Sequence, residues 1–158
     1  MNELKTESQV LLIGMGNRER GDNGLGWTFA DIMNSLGYDF LDFEYREQMF
    51  VEDAKLISRY EVVIFVDACY EKFGCGFEIS RCFGASHGFY FSNAQAPSAM
   101  LYLAKKLYHK TPKAYLLTIS GEEWEEQTLL SNSAVRNLQS AVDFFDRHFL
   151  PSVLTVGV

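Results

Sequence analysis

Positive charge is scarce in this 158-residue chain, where 14 Lys and Arg stand against 21 Asp and Glu for a formal net charge of −7. A surface that tracks phosphates needs clustered Lys and Arg, so a general nucleic-acid binder is excluded and docking on an anionic membrane is disfavoured. Long apolar runs are missing as well. None approaches the roughly 18 residues that span a bilayer, so no membrane insertion is expected. Residues 1–8 are polar and no apolar stretch of a secretory signal follows them. Three cysteines are few, and odd in number, which fits reduced thiols in a cytoplasmic protein better than a disulfide framework. Repeats, linkers and low-complexity segments are lacking, which leaves one domain over residues 9–150, a flexible tail at 1–8 and a second tail at 151–158.

What the chain does contain is enough apolar material for a packed core, with 47% hydrophobic and 15% aromatic residues. Residues 9–14 form a first buried strand, because no polar residue alternates through Val10 to Ile13. Leu25, Phe29, Ile32 and Leu36 step by four, three and four and predict a helix over about 24–36, ending at Gly37. Tyr38 to Phe43 reads as a second strand, and Phe50, Ala54 and Ile57 share one face of a short helix. Val62 to Val66 is the most apolar run and predicts a central strand closed by Asp67. A strand over 74–83 follows, then a loop over 84–96 that contains His87. Pro97 opens a helix, Ala114 to Ile119 forms the last strand, and 121–127 is an acidic loop. From Ser133, the spacing of Val135, Leu138, Val142, Phe145 and Phe149 gives a long amphipathic helix. Strands alternating with helices predict an α/β protein, a single three-layer α/β/α domain with a mostly parallel sheet of about five strands.

The stretch from Gly14 to Gly26 holds five glycines between a buried strand and a helix. That is where open α/β sheets place their sites. Backbone amides there can bind phosphate, but Glu19 stands where a dinucleotide fingerprint needs its third glycine, and no P-loop Lys follows. A tight turn with Asp22 or Asn23 capping the helix explains the glycines without a ligand. Cys69, Cys75 and Cys82 with His87 do not have the spacing of a zinc site. Glu122, Glu123, Glu125 and Glu126 around Trp124 read as a solvated loop, with docking as the sharper alternative.

Gly14-Met15-Gly16-Asn17, four intervening positions, then Asp22-Asn23-Gly24-Leu25-Gly26 resembles the opening signature of the hydrogenase maturation endopeptidases. The form in that family is Gly-x-Gly-Asn, a spacer, then Asp-Asp-Gly-x-Gly or Asp-Glu-x-x-Gly. The likeness continues through Val62 to Ala68, Ser92 to Leu107, Lys113 to Gly121 and the helix from Ser133, which is nearly the whole chain. The resemblance implies an endopeptidase that removes a C-terminal extension from the large subunit of a [NiFe] hydrogenase after nickel insertion. It implies nickel borne by the substrate rather than held tightly by the protease, and a hydrogenase large subunit or another maturation protein as partner. It also implies two acids and a histidine as ligands, a set that suits a borderline divalent metal.

Matched position by position, the first of those ligands falls on Asn23 and the second on Asp67, while the histidine position falls on Asn93 or Ala94. A neutral amide oxygen is a weaker partner for a divalent cation than a carboxylate. Asp22 and His87 are the replacements that the sequence offers. The family's Asp-Gly-Gly-Thr cleft motif is matched by Tyr45-Arg46-Glu47-Gln48, which makes Arg46, Glu47 and Gln48, with Gly16 and Asn17, the candidate substrate-binding residues. The expectation is an intact fold with an impaired metal site, and the alternative is a non-catalytic binding module or assembly factor.

Overall fold

A computed structural model describes residues 9–85 and 96–155. Strand β1 (Val10–Met15) is buried at every position, as its unbroken apolar run demands of a strand covered on both faces. It pairs in parallel with β2 (Leu41–Arg46) on one side and β3 (Val62–Cys69) on the other. Strand β5 (Lys113–Ser120) adds in parallel to β3, and β4 (Phe77–Cys82) closes the edge antiparallel to β5. The sheet order is β2-β1-β3-β5-β4, so the expected mostly parallel five-stranded α/β architecture is present.

Successive side chains leave a strand on opposite faces, and two cores follow. Val10, Leu12, Ile64 and Val66 meet Phe29 of α1 (Leu25–Ser35), Leu138 of α4 (Asn132–Phe144) and Phe145. Leu11, Ile13, Val63 and Phe65 meet Ile57 of α2 (Asp53–Ile57) and Met100 of α3 (Pro97–Tyr108). Seating α1 this close requires two glycines. A Cβ on Gly14 would stand 2.6 Å from the Gly26 carbonyl oxygen, and one on Gly26 would collide with the carbonyl oxygens of Met15 and Val66.

Several boundaries differ from the sequence reading, each for a tertiary reason. Strand β2 begins at Leu41 rather than Tyr38 and runs to Arg46, because Phe43 and Tyr45 pack on the first core. Tyr45 and Arg46 are therefore strand residues, not part of a following loop. Strand β3 runs past Asp67 to Cys69 because β5 continues to pair with it as far as Ser120. Gly37 does adopt the left-handed backbone expected after the first helix, with φ 74°. Helix α4 continues through a π-helical turn, Phe145–Phe149, into α5 (Leu150–Thr155), so 151–155 prolong the helix where a tail was expected. Pro151 lies just after the π turn within this continuous helix, and its missing N–H falls where the regular i→i−4 ladder is already interrupted. The N-terminal tail expected at 1–8 lies outside the described residues. Among the described residues no helix is long and apolar enough to cross a membrane.

From β1 the chain passes through α1 to β2, then through α2 to β3 on the opposite side of β1. The carboxyl ends of β1 and β3 therefore flank a topological switch point, where crevices form in such sheets.

Candidate functional site

At that switch point the glycine-rich segment folds back on itself. Gly16 has φ 129°, and a Cβ there would strike the Asn23 carbonyl, so the position suits only glycine. Its N–H donates to the Arg46 carbonyl oxygen (2.9 Å), tying the turn to the end of β2. The Asn17 N–H donates to both the carbonyl oxygen (3.1 Å) and Oδ1 (2.9 Å) of Asn23. Asn17 Oδ1 accepts from the Glu19 N–H (2.8 Å), and its Nδ2 donates to Glu47 Oε2 (3.1 Å). The Asn23 oxygen that would face a cation is thus already engaged by backbone.

Asp22 is fully buried and serves a distant segment. Its Oδ2 accepts from the backbone N–H groups of Glu122 (2.6 Å) and Glu123 (2.9 Å) and from Ser131 Oγ (2.7 Å). Its Oδ1 accepts from the Ser131 N–H (2.8 Å). Burial alone would raise the carboxyl pKa, but the donors of Glu123, Ser131 and Glu122 together hold it below its ordinary value. Ser131 in turn caps α4, accepting from the Ala134 N–H (3.2 Å). Neither Asp22 nor Asn23 caps the first helix, which starts from Gly24 without a side-chain cap. As a replacement ligand, Asp22 would have to give up the bonds that fix the acidic loop and α4.

Asp67 differs in kind. By parity it lies on the α2/α3 face with Val63 and Phe65. It occupies the first position of β3 beyond the ladder to β1, whose last pair is Gly14 with Val66. Burial pushes its pKa up to about 6, offset in part by the Ala68 N–H that donates to Oδ1 (2.8 Å). A desolvated acid at a switch point is a site candidate on physical grounds. Among the described residues, no three His, Cys, Asp or Glu side chains are grouped to hold a metal. His87, Asn93 and Ala94 lie outside the described residues.

The other candidates around the cleft are mostly structural. Arg46 is clasped by Asp53, through Nε (3.3 Å) and Nη2 (3.1 Å), and by Glu44 (2.9 Å). Its guanidinium braces the corner between β2 and α2 instead of standing free for a substrate. Glu47 and Gln48 are exposed at the rim. Sequence reasoning missed a prop behind the turn. Arg18 pairs with Asp31 (2.7 Å) and lies over the rings of Trp27 and Tyr45 at 5.2 and 5.8 Å. The Trp27 Nε1–H donates to the Arg46 carbonyl (3.2 Å), and Trp27 with Asp31 at i, i+4 on α1 was the available signal. Cys69, Cys75 and Cys82 are free thiols, and Cys75 lies before β4 rather than within it. In the acidic loop, the Trp124 ring lies 4.4 Å from that of Tyr70.

No model of a known protein family matches the chain, and no curated protein sequence does. Solved structures do match. The hydrogenase 2 maturation peptidase from Thaumarchaeota archaeon SCGC_AB-539-E09 aligns with a TM-score of 0.63 and 21% identity, over 87% of this chain and 95% of that one. The hydrogenase maturating endopeptidase HybD from E. coli aligns with a TM-score of 0.66 and 18% identity, over 85% and 88% of the two chains. The [NiFe] hydrogenase maturation protease HycI from Thermococcus kodakarensis KOD1 gives 0.66 and 18%, over 88% and 90%. The chain therefore has the fold of the hydrogenase maturation endopeptidases over most of its length, at low sequence identity.

Proposed function

We propose that this protein is a divergent hydrogenase maturation protease-like protein, which recognises the large subunit of a [NiFe] hydrogenase at the carboxyl ends of β1 and β3. The observation that carries the reading is Asp67. It is a desolvated acid where the β1–β3 ladder ends, in a fold shared with peptidases of that process. In this reading the nickel belongs to the substrate, Asp67 is its remaining carboxylate contact, and Gly16, Asn17 and Glu47 line the approach. The metal-dependent cut is impaired, because Asn23 supplies a neutral oxygen already bonded to Asn17.

The engagement of Asp22 and Asn23 also favours a second reading, a module that binds the hydrogenase subunit or another maturation protein without cutting it. One experiment separates the two. The full chain is incubated with a nickel-loaded precursor large subunit, and both complex formation and loss of the C-terminal extension are followed. Slow cleavage abolished in Asp67→Ala supports the protease reading, whereas a stable complex with no cleavage supports the module. Absence of any complex sinks both.

A further inference from the structure

Away from the cleft, the edge of the sheet carries a groove that the proposed function does not use. It is a cavity of about 820 Å³ between the end of β4, the last turns of α3 and the start of β5. Four of the chain's 14 Lys and Arg residues line it, Arg81, Lys105, Lys106 and Lys113, together with His109. Among the described residues no acid does. Among the described residues, no carboxylate lies within ion-pair distance of Lys105, Lys106 or Lys113.

The dipole of α3 accounts for part of this, since cations are favoured in a helix's last turn and Lys105 and Lys106 lie there. It does not account for Arg81 and Lys113, which arrive from two different strands. Arg81 is also held ready. Its guanidinium lies over the rings of Phe83 (4.7 Å) and Tyr115 (5.3 Å), and its Nε–H donates to the Ala114 carbonyl (3.3 Å). Phe83 itself is 66% exposed on the groove wall.

We infer that this groove is the docking site for an acidic segment of a partner protein, one that carries carboxylates on either side of an apolar side chain. Preorganised Arg and Lys pair with carboxylates, and an exposed aromatic beside them offers an apolar anchor. The cationic residues are spread over β4, α3 and β5, which matches carboxylates spaced along a segment better than one compact phosphate. The net charge of −7 opposes a long polyanion. The groove lies at the amino end of β5, away from Asp67, so its occupancy is independent of cleavage or recognition at the cleft.

The test is fluorescence anisotropy on the full chain with a short labelled peptide alternating Glu with Leu and Phe. A peptide with Lys in place of Glu, a single-stranded DNA of similar charge and inorganic phosphate serve as competitors. We expect binding of the acidic peptide that weakens with salt and falls by about tenfold or more in the double variant Lys105→Glu/Lys106→Glu. Those two side chains are exposed, so the variant keeps its fold, as circular dichroism would verify. Arg81→Ala should weaken binding as well. No binding, or equal binding by the double variant, overturns the assignment. Tighter binding of DNA, or displacement by millimolar phosphate, also overturns it in favour of a general anion site. Self-association of the chain that the double variant abolishes would make a second copy the occupant and overturn the partner assignment too.

Discussion

Asp22 and Asp67 show how burial gives two acids opposite properties. Asp22 is surrounded by donors, so its charged form is favoured in the fold and its contribution to stability is present above the ordinary carboxylate range and lost in acid. Removing it leaves three backbone N–H groups and a hydroxyl without their acceptor. We expect Asp22→Ala to lower stability by about 3 kcal/mol or more in urea unfolding, and Asp22→Asn, which keeps an acceptor, to cost less. Asp67 has the reverse sign. Its pKa of about 6 lies above the unfolded value, so the native state binds the extra proton between about pH 4 and pH 6 and stability falls as pH rises through that window. Asp67→Asn stays neutral and keeps the acceptor for the Ala68 N–H. It should match the wild type near pH 4 and exceed it by on the order of 2 kcal/mol above pH 7. Equal stability of the two proteins at pH 8 would show that Asp67 is not desolvated.

At the scale of elements, the glycine turn does its structural work through α1. Gly26 sits against the carbonyl oxygens of Met15 at the end of β1 and of Val66 in β3, where their ladder ends, so the helix is fixed to the two strands that form the cleft. A methyl group there must push α1 off the sheet. Gly26→Ala should destabilise the fold by about 3 kcal/mol and speed amide exchange in α1 and at the end of β1 before it affects β4. This seat was legible in the sequence, since the pattern of a buried run, glycines and a helical period marked strand, turn and helix correctly. The roles of Asp22 and Arg46 were not. Their partners lie 100 and more residues away for Asp22, and on the next helix for Arg46. Local spacing carries no sign of which carboxylate a distant loop will claim. The extents of β2 and β3 were misjudged for a similar reason, because the pairing strand and the core beneath decide where a strand stops.

At the scale of the whole molecule, the fold brings positions 23 and 67 from separate βα units to one switch point, while the oxygen chemistry at position 23 is a local accident of one side chain. Asn23 Oδ1 accepts from the Asn17 N–H, and a carboxylate of the same length accepts that bond equally well. Asn23→Asp should therefore fold as the wild type does while adding a negative charge at the position where the resemblance puts a metal-ligating acid. If the proposed function is right, this variant should cleave a nickel-loaded precursor faster than the wild type, because a charged oxygen binds a divalent cation more strongly than a neutral amide. The gain should vanish when Asp67→Ala is added, since a lone acid at position 23 cannot replace the pair. Loss of the C-terminal extension, read by mass spectrometry, distinguishes the cases. A wild type that already cuts as fast as Asn23→Asp would mean that the amide is no handicap and the site is not impaired. A variant that binds the precursor but still leaves it whole would place the deficit at the histidine position rather than at Asn23.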